Sequence, residues 1–143
     1  MSNMKHFLKA SKKVKPNVKY AASENFVDDK GKPLEWEIKP LSTADNERIK
    51  EECTSIIETR DRGVRAYPKI DIKALTAKQM VASVCFPDLY NAELQDSYGV
   101  KEPEDLLFAM LDEAGEYQNF VMFVQKYNKL NVTMDDKVED AKN

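Results

Sequence analysis

Residues 18–38 read VKYAASENFVDDKGKPLEWEI, and the alternation in this stretch decides the fold. Val18, Tyr20, Ala22 and Phe26 point one way, and Lys19, Ser23 and Asn25 point the other. Asp28-Asp29-Lys30-Gly31-Lys32-Pro33 follows as a strong turn signal. Leu34, Trp36 and Ile38 then alternate with Glu35, Glu37 and Lys39, and Pro40 closes the run. Two alternating runs around a glycine-containing turn predict a β-hairpin with one wet face. A hairpin alone is barely stable in water. Its apolar face of Tyr20, Phe26, Leu34, Trp36 and Ile38 therefore needs a cover. Trp36 on that face reads as core, with a partner contact as its alternative.

Downstream of residue 40 the pattern is helical and can supply the cover. Ser42 or Thr43 suits an N-cap, with Asp45 in the first turn where the helix dipole favours an anion. Ile49, Cys53, Ile56 and Ile57 fall at i, i+4, i+7 and i+8, a helical stripe opposite Glu47, Lys50, Glu51 and Glu58. Residues 60–69 read as a charged loop with Gly63 and Pro68, with room for a third short strand near Val64–Tyr67. A second helix is expected from Asp71 to Phe86. Its later half, Met80 to Phe86, is apolar nearly all round, as in a buried central segment. Asn91 can cap a short helix holding Leu94 and Tyr98, ended by Gly99. Pro103 suits the first position of the next helix, with Glu104 and Asp105 in its first turn. Leu106, Leu107, Met110 and Leu111 form its stripe, and Gly115 is expected to interrupt. A last helix is expected over Glu116 to Leu130. The expected architecture is α+β: an N-terminal β-hairpin packed against a mainly α-helical domain of four to five helices.

The 143 residues amount to about one domain. A globule of that size buries roughly two-thirds of its unfolded surface, enough for one core without staples. The apolar fraction of 42% and the charged fraction of 33% suit a somewhat polar soluble protein. A net charge of −3 excludes a strongly basic or acidic whole. The charges are nonetheless polarised. Residues 1–20 carry Lys5, Lys9, Lys12, Lys13, Lys15 and Lys19 with no acid. The end carries Asp135, Asp136, Glu139 and Asp140. The two ends read as solvated termini, or as partners within the molecule or between copies. The expected organisation is a basic segment over 1–17, one domain over 18–130 and an acidic disordered tail over 131–143.

Cys53 and Cys85 both sit in apolar surroundings. Their spacing leaves a disulfide open, although free buried cysteine is the commoner state in a reducing compartment. No run of 18 or more apolar residues exists, so no membrane span is expected. Lysines near the start lack a signal-peptide apolar stretch, which points to the cytoplasm.

Catalytic equipment is sparse. The one histidine, His6, would give a general base no rigid mount. No zinc-type spacing links Cys53, Cys85 and His6. Glu51, Glu52 and Glu58 suit a solvated helix face better than a carboxylate metal site. Four scattered glycines write no phosphate loop. No catalytic residue, cofactor or metal is expected, and the chain does not read as an enzyme.

Two surfaces invite partners. Arg60, Arg62 and Arg65, with the N-terminal lysines, could contact phosphates, and Tyr67 could stack on a base. The acidic balance and the lack of a reading motif disfavour nucleic acid. The last helix is more suggestive. Tyr117, Phe120, Val121 and Val124 form one stripe, which Met122, Phe123 and Tyr127 widen beyond an ordinary core face. Aromatics and methionine are enriched at contacts between proteins. Tyr117, Phe120, Phe123, Val124 and Tyr127 are therefore the expected partner-binding residues, with a central buried helix as the alternative.

An ordered set of short motifs adds a family resemblance. It comprises Phe26-Val27-Asp28, Gly31-Lys32-Pro33, Trp36-Glu37-Ile38 and Cys53-Thr54. After these come Phe86-Pro87, Asn91-Ala92-Glu93-Leu94-Gln95-Asp96-Ser97-Tyr98-Gly99-Val100, Met110-Leu111 and Gly115-Glu116-Tyr117. From about Phe7 to Leu130 the chain resembles the XkdN-like tail assembly chaperones of phages and prophages of Gram-positive bacteria. Asp112-Glu113-Ala114 departs from the more apolar or proline-containing link expected there. The resemblance implies an assembly factor of the host cytoplasm, absent from the mature virion. It implies binding to the tape-measure protein, recruitment of the tail-tube protein, and a frameshifted longer product as a further partner beside self-association. It brings no catalytic residues. The competing readings are a structural tail or baseplate component and a small regulatory nucleic-acid binder.

Overall fold

A computed structural model of the chain describes residues 3–58, 60, 63 and 65–130. The expected acidic tail, Arg62 and Val64 lie outside the described residues.

The α+β architecture is as expected, with three strands more than the hairpin, one of them in its sheet. β1 (Val18–Tyr20) and β2 (Trp36–Ile38) pair antiparallel, Val18 opposite Ile38 and Tyr20 opposite Trp36. β5 (Val84–Phe86) adds to the other side of β2, with a register shift between Glu37 and Ile38. The sheet order is β1-β2-β5. The turn signal is real but belongs to a smaller feature inside the connection. The Asp28 carboxylate accepts the N–H of Lys30 at 2.8 Å and of Lys32 at 2.9 Å. Gly31 supplies the positive φ of 82° that the turn requires. Only three residues of each strand join the ladder, so period-two alternation does not reach Leu34. That side chain is 46% exposed, where the alternation placed it inside.

α1 (Thr43–Glu52) starts as expected, with the Ser42 hydroxyl accepting the Asp45 N–H at 3.1 Å. It ends earlier than the helical stripe implied. Thr54-Ser55-Ile56-Ile57 is mostly β-branched and a weak helix former. The Thr54 hydroxyl donates to the Lys50 carbonyl at 2.6 Å and so satisfies one carbonyl left open by the helix end. The chain then becomes β3 (Thr54–Ile57), paired antiparallel with β4 (Tyr67–Ile70) as a separate two-stranded sheet.

α2 (Ile72–Ser83) is capped by Asp71, which accepts the Ala74 N–H at 3.1 Å. It stops before the apolar run does. Val84-Cys85-Phe86 precedes Pro87, which disfavours helix in the residue before it. The open edge of β2 accepts this segment instead, and the Lys39 N–H donates to the Ser83 carbonyl at 2.8 Å. Cys85 and Phe86 therefore lie at a sheet edge and are exposed, not buried in a helix.

α3 (Ala92–Ser97) and α4 (Pro103–Met110) follow their sequence signals. The Asn91 side chain accepts the Leu94 N–H at 2.8 Å, and Pro103 opens α4. α5 (Ala114–Tyr127) begins before Gly115, so that glycine lies in its first turn and the break falls at 111–113. It also ends before Leu130. Lys129 takes a positive φ of 57°, and the Leu130 N–H closes the helix on the Gln125 carbonyl at 2.8 Å.

The core lies where the sheet, α2, α4 and α5 meet. Trp36, Ile38, Met80, Leu106, Leu107, Phe120 and Val124 are all at most 2% exposed. The Trp36 ring meets Phe120 edge-on at 5.7 Å between centroids. Polar ties hold the layers in register. The Ser23 hydroxyl and Glu24 N–H donate to the Glu116 carboxylate at 2.8 and 3.0 Å. The Leu41 N–H donates to the Asn128 side chain at 2.7 Å, and Gln79 donates to Asn46 at 2.8 Å.

Candidate functional site

α5 holds all five side chains expected to bind partners, and the fold divides them. Phe120 and Val124 are fully buried in the core. This corrects their assignment to a partner surface, because exposing them would mean unfolding the domain. The reason is layering: α5 meets the sheet on one flank and α2 with α4 around it, so its wide stripe is used internally. Tyr117, Phe123 and Tyr127 are half-buried at the margins. Tyr117 meets Phe108 edge-on at 5.1 Å, and Phe123 stacks on Tyr20 at 4.2 Å. Met122 is the exposed large apolar side chain of the helix, at 64%.

Tyr127 also fastens the N-terminal segment. Its hydroxyl donates to the Pro16 carbonyl, and burial holds that phenol above its ordinary pKa, so it stays a donor. The Lys15 ammonium donates to the Tyr127 carbonyl and sits 4.1 Å from the ring centroid. A cation at the last helical turn meets the negative end of the helix dipole, and the ring face adds a cation–π attraction. Burial, and after it the charge of Lys129, pulls Lys15 below its ordinary pKa.

The β3–β4 hairpin is more exposed than α5, and of it the sequence suggested only a possible short strand near Val64–Tyr67. In the β3–β4 hairpin, residues directly opposite share a face. Ile56 and Pro68 are paired, as are Thr54 with Ile70 and Ile57 with Tyr67. Ile56, Pro68 and Ile70 thus share one face, and Ile57 and Tyr67 the other. Ile56 is 63% exposed, Tyr67 49% and Ile70 40%, and Ile72 just beyond is also open. An ordinary hairpin buries one face; here both carry apolar side chains in contact with water. The missed signal was the β-branched run 54–57, which also fits a helical spacing. Pro68, lacking an N–H, is a second clue, because proline in a sheet belongs on an edge strand.

Glu52 lies 3.7 Å from Arg48 and 3.9 Å from Lys78, and Lys78 reaches Glu104 at 3.5 Å. Glu104 chiefly raises the Lys78 pKa, which keeps that cation charged between α1 and α4. Cys53 and Cys85 are both free. Burial pushes the Cys53 thiol up, and a hydrogen bond with Glu37 does the same for Cys85. Among the described residues no helix is long and apolar enough to cross a membrane.

Comparison with known proteins supplies the context for these surfaces. Residues 4–142 match the family described as phage XkdN-like tail assembly chaperone protein. The chain belongs to this chaperone family. It is 26% identical over 126 residues to the phage-like element PBSX protein XkdN of Bacillus subtilis (strain 168), covering 88% of this chain and 84% of that protein. It is 25% identical over 126 residues to YqbN of the same organism, covering 88% and 83% respectively. The crystal structure of YqbN superposes with a TM-score of 0.77 at 19% identity, covering 92% of this chain and 99% of that one. The superposition shows a shared fold for the family's sheet and helices. The family membership expected from the ordered motifs is thereby established, and with it a role in phage tail assembly.

Proposed function

We propose that this family member binds the tape-measure protein during tail assembly and helps bring tail-tube subunits to it. It acts by adhesion, without a bond-making step, in the host cytoplasm, and leaves before the virion is complete. The observation that carries this reading is the β3–β4 hairpin, whose two faces both present isoleucine, proline or tyrosine to water. Contiguous exposed apolar surface on a small domain marks a contact site. A tape-measure protein offers long apolar helical faces before the tube encloses it. Many modest contacts along such a linear partner give avidity while each stays reversible. The open edges of Tyr117, Phe123 and Tyr127 form a second, smaller contact in this reading, with Phe120 and Val124 supporting them from the core.

Co-purification of the full chain with tape-measure fragments tests the proposal. The wild type is expected to hold the fragments, and the triple variant Ile56→Ser, Tyr67→Ser, Ile70→Ser to lose them while remaining folded. Equal retention by both proteins would remove the hairpin from the contact. Failure of the wild type to bind, alone or with a longer product, would remove the tape-measure partner. Mass spectrometry of purified virions separates this role from a structural one, since a tail subunit would be present in stoichiometric amount.

A further inference from the structure

The N-terminal segment presents ammonium groups and apolar side chains together, with no acid of its own. Among the described residues, Lys5, Lys9, Lys12 and Lys13 form no ion pair. Phe7 is 79% exposed, Leu8 59% and Val14 89%. Phe7, Lys9, Lys12, Lys13 and Val14 border an open hollow against Pro40. The segment is fastened next to these groups. Lys15 and Pro16 are hydrogen-bonded to Tyr127, the last residue of α5.

That anchor lies three positions before Leu130, from which residues 131–143 continue. These thirteen residues carry Asp135, Asp136, Glu139 and Asp140. Leu130 and, within this stretch, Met134 and Val138 recur every fourth position. Thirteen residues span about 40 Å extended and about 20 Å as a helix, so the eight or so positions from Phe7 to Val14 are within reach either way. A tether this short holds its end at an effective concentration of order millimolar. We infer that residues 131–143 dock in cis on residues 5–14, their carboxylates against Lys9, Lys12 and Lys13 and their apolar positions against Phe7 and Val14. In that position the tail lies against a lysine-rich apolar surface of the described residues. This inference rests on charge, reach and the Tyr127 anchor, and stands independently of the tape-measure reading.

Zero-length carbodiimide crosslinking of the full chain tests it, with the monomer isolated by gel filtration and the crosslinked peptides identified by mass spectrometry. The expected products join Lys9, Lys12 or Lys13 to Asp135, Asp136, Glu139 or Asp140 within one molecule. They should fall to background at about 1 M salt, where the screening length is about 3 Å. The Lys13 crosslinks should also fall in the variant Lys9→Glu, Lys12→Glu, which reverses the charge beside Lys13 and keeps its amine. They should return when Asp135→Lys and Asp136→Lys are added to it, which leaves Glu139 and Asp140 as the carboxyl partners of Lys13. Circular dichroism confirms that each variant is folded. Absence of these crosslinks in the folded wild type, their confinement to dimers, or indifference to charge reversal each overturns the inference.

Discussion

α5 and the β3–β4 hairpin are both built of large apolar side chains, yet they end in opposite environments. Phe120 and Val124 of α5 are fully buried, while Ile56 and Tyr67 of the hairpin are about half or more exposed. The difference is one of coverage. α5 lies against the three-stranded sheet and against α2 and α4, so apolar residues on several flanks find neighbours. Among the described residues β3 and β4 pair as strands only with each other, and Ile56, Tyr67 and Ile70 stay 40% or more exposed. Apolar content alone therefore does not say whether a segment is core or contact. The number of elements packed around it does.

The strongest way to break this comparison is Phe120→Ala. Loss of a fully buried phenylalanine should cost about 3–5 kcal/mol, measured by urea unfolding. A cost under about 1 kcal/mol would mean the helix is not the centre of the core. Next comes Tyr127→Phe, which removes the hydroxyl bonded to Pro16 and keeps the ring. It should cost about 1 kcal/mol and loosen residues 5–14 in hydrogen exchange. An unchanged exchange pattern there would show that the N-terminal segment does not depend on this anchor. Ile56→Ser should move stability by about 0.5 kcal/mol or less, because its side chain is largely in water already, and Ile70→Ser, which is 40% exposed, by about 1 kcal/mol. A loss of several kcal/mol from either would place the hairpin inside the core and erase the contrast with α5.

The smallest effect concerns the two thiols. Cys85 should react with a maleimide in the native protein, and Cys53 only on unfolding, since one is exposed and the other buried. Both thiols are held above their ordinary pKa, so the thiolate fraction at neutral pH is reduced and labelling of Cys85 should speed up as pH rises. Replacing Glu37 by Gln removes the carboxylate hydrogen bond and should shift that rise to lower pH. A rise that stays in place would exclude Glu37 as its cause.

Local signals were legible wherever a cap or turn residue acts on its own neighbours. Ser42, Asn91, Pro103 and Gly99 each act where the sequence put them, because a cap satisfies backbone groups two or three residues away and needs no tertiary partner. Trp36 and Ile38 were legible as core from alternation. The errors share one cause. Thr54–Ile57 and Val84–Phe86 are short apolar runs adjoining helices, and periodicity over three or four residues cannot separate strand from helix. What resolved them was a partner elsewhere in the chain: β4 for the first and the free edge of β2 for the second. The exposed hairpin was missed for the same reason, while the α5 residues were found by composition and then assigned too freely to the surface.

From the amino-acid order alone came the α+β class, the starts of α1 to α4, the inward Trp36 and, through ordered motifs, the chaperone family. Only the tertiary structure decided the third strand, the burial of Phe120 and Val124, and the exposure of Ile56 and Tyr67. Caps and alternation are set by near neighbours, whereas burial depends on how many distant elements close over a side chain, and no local pattern encodes that number.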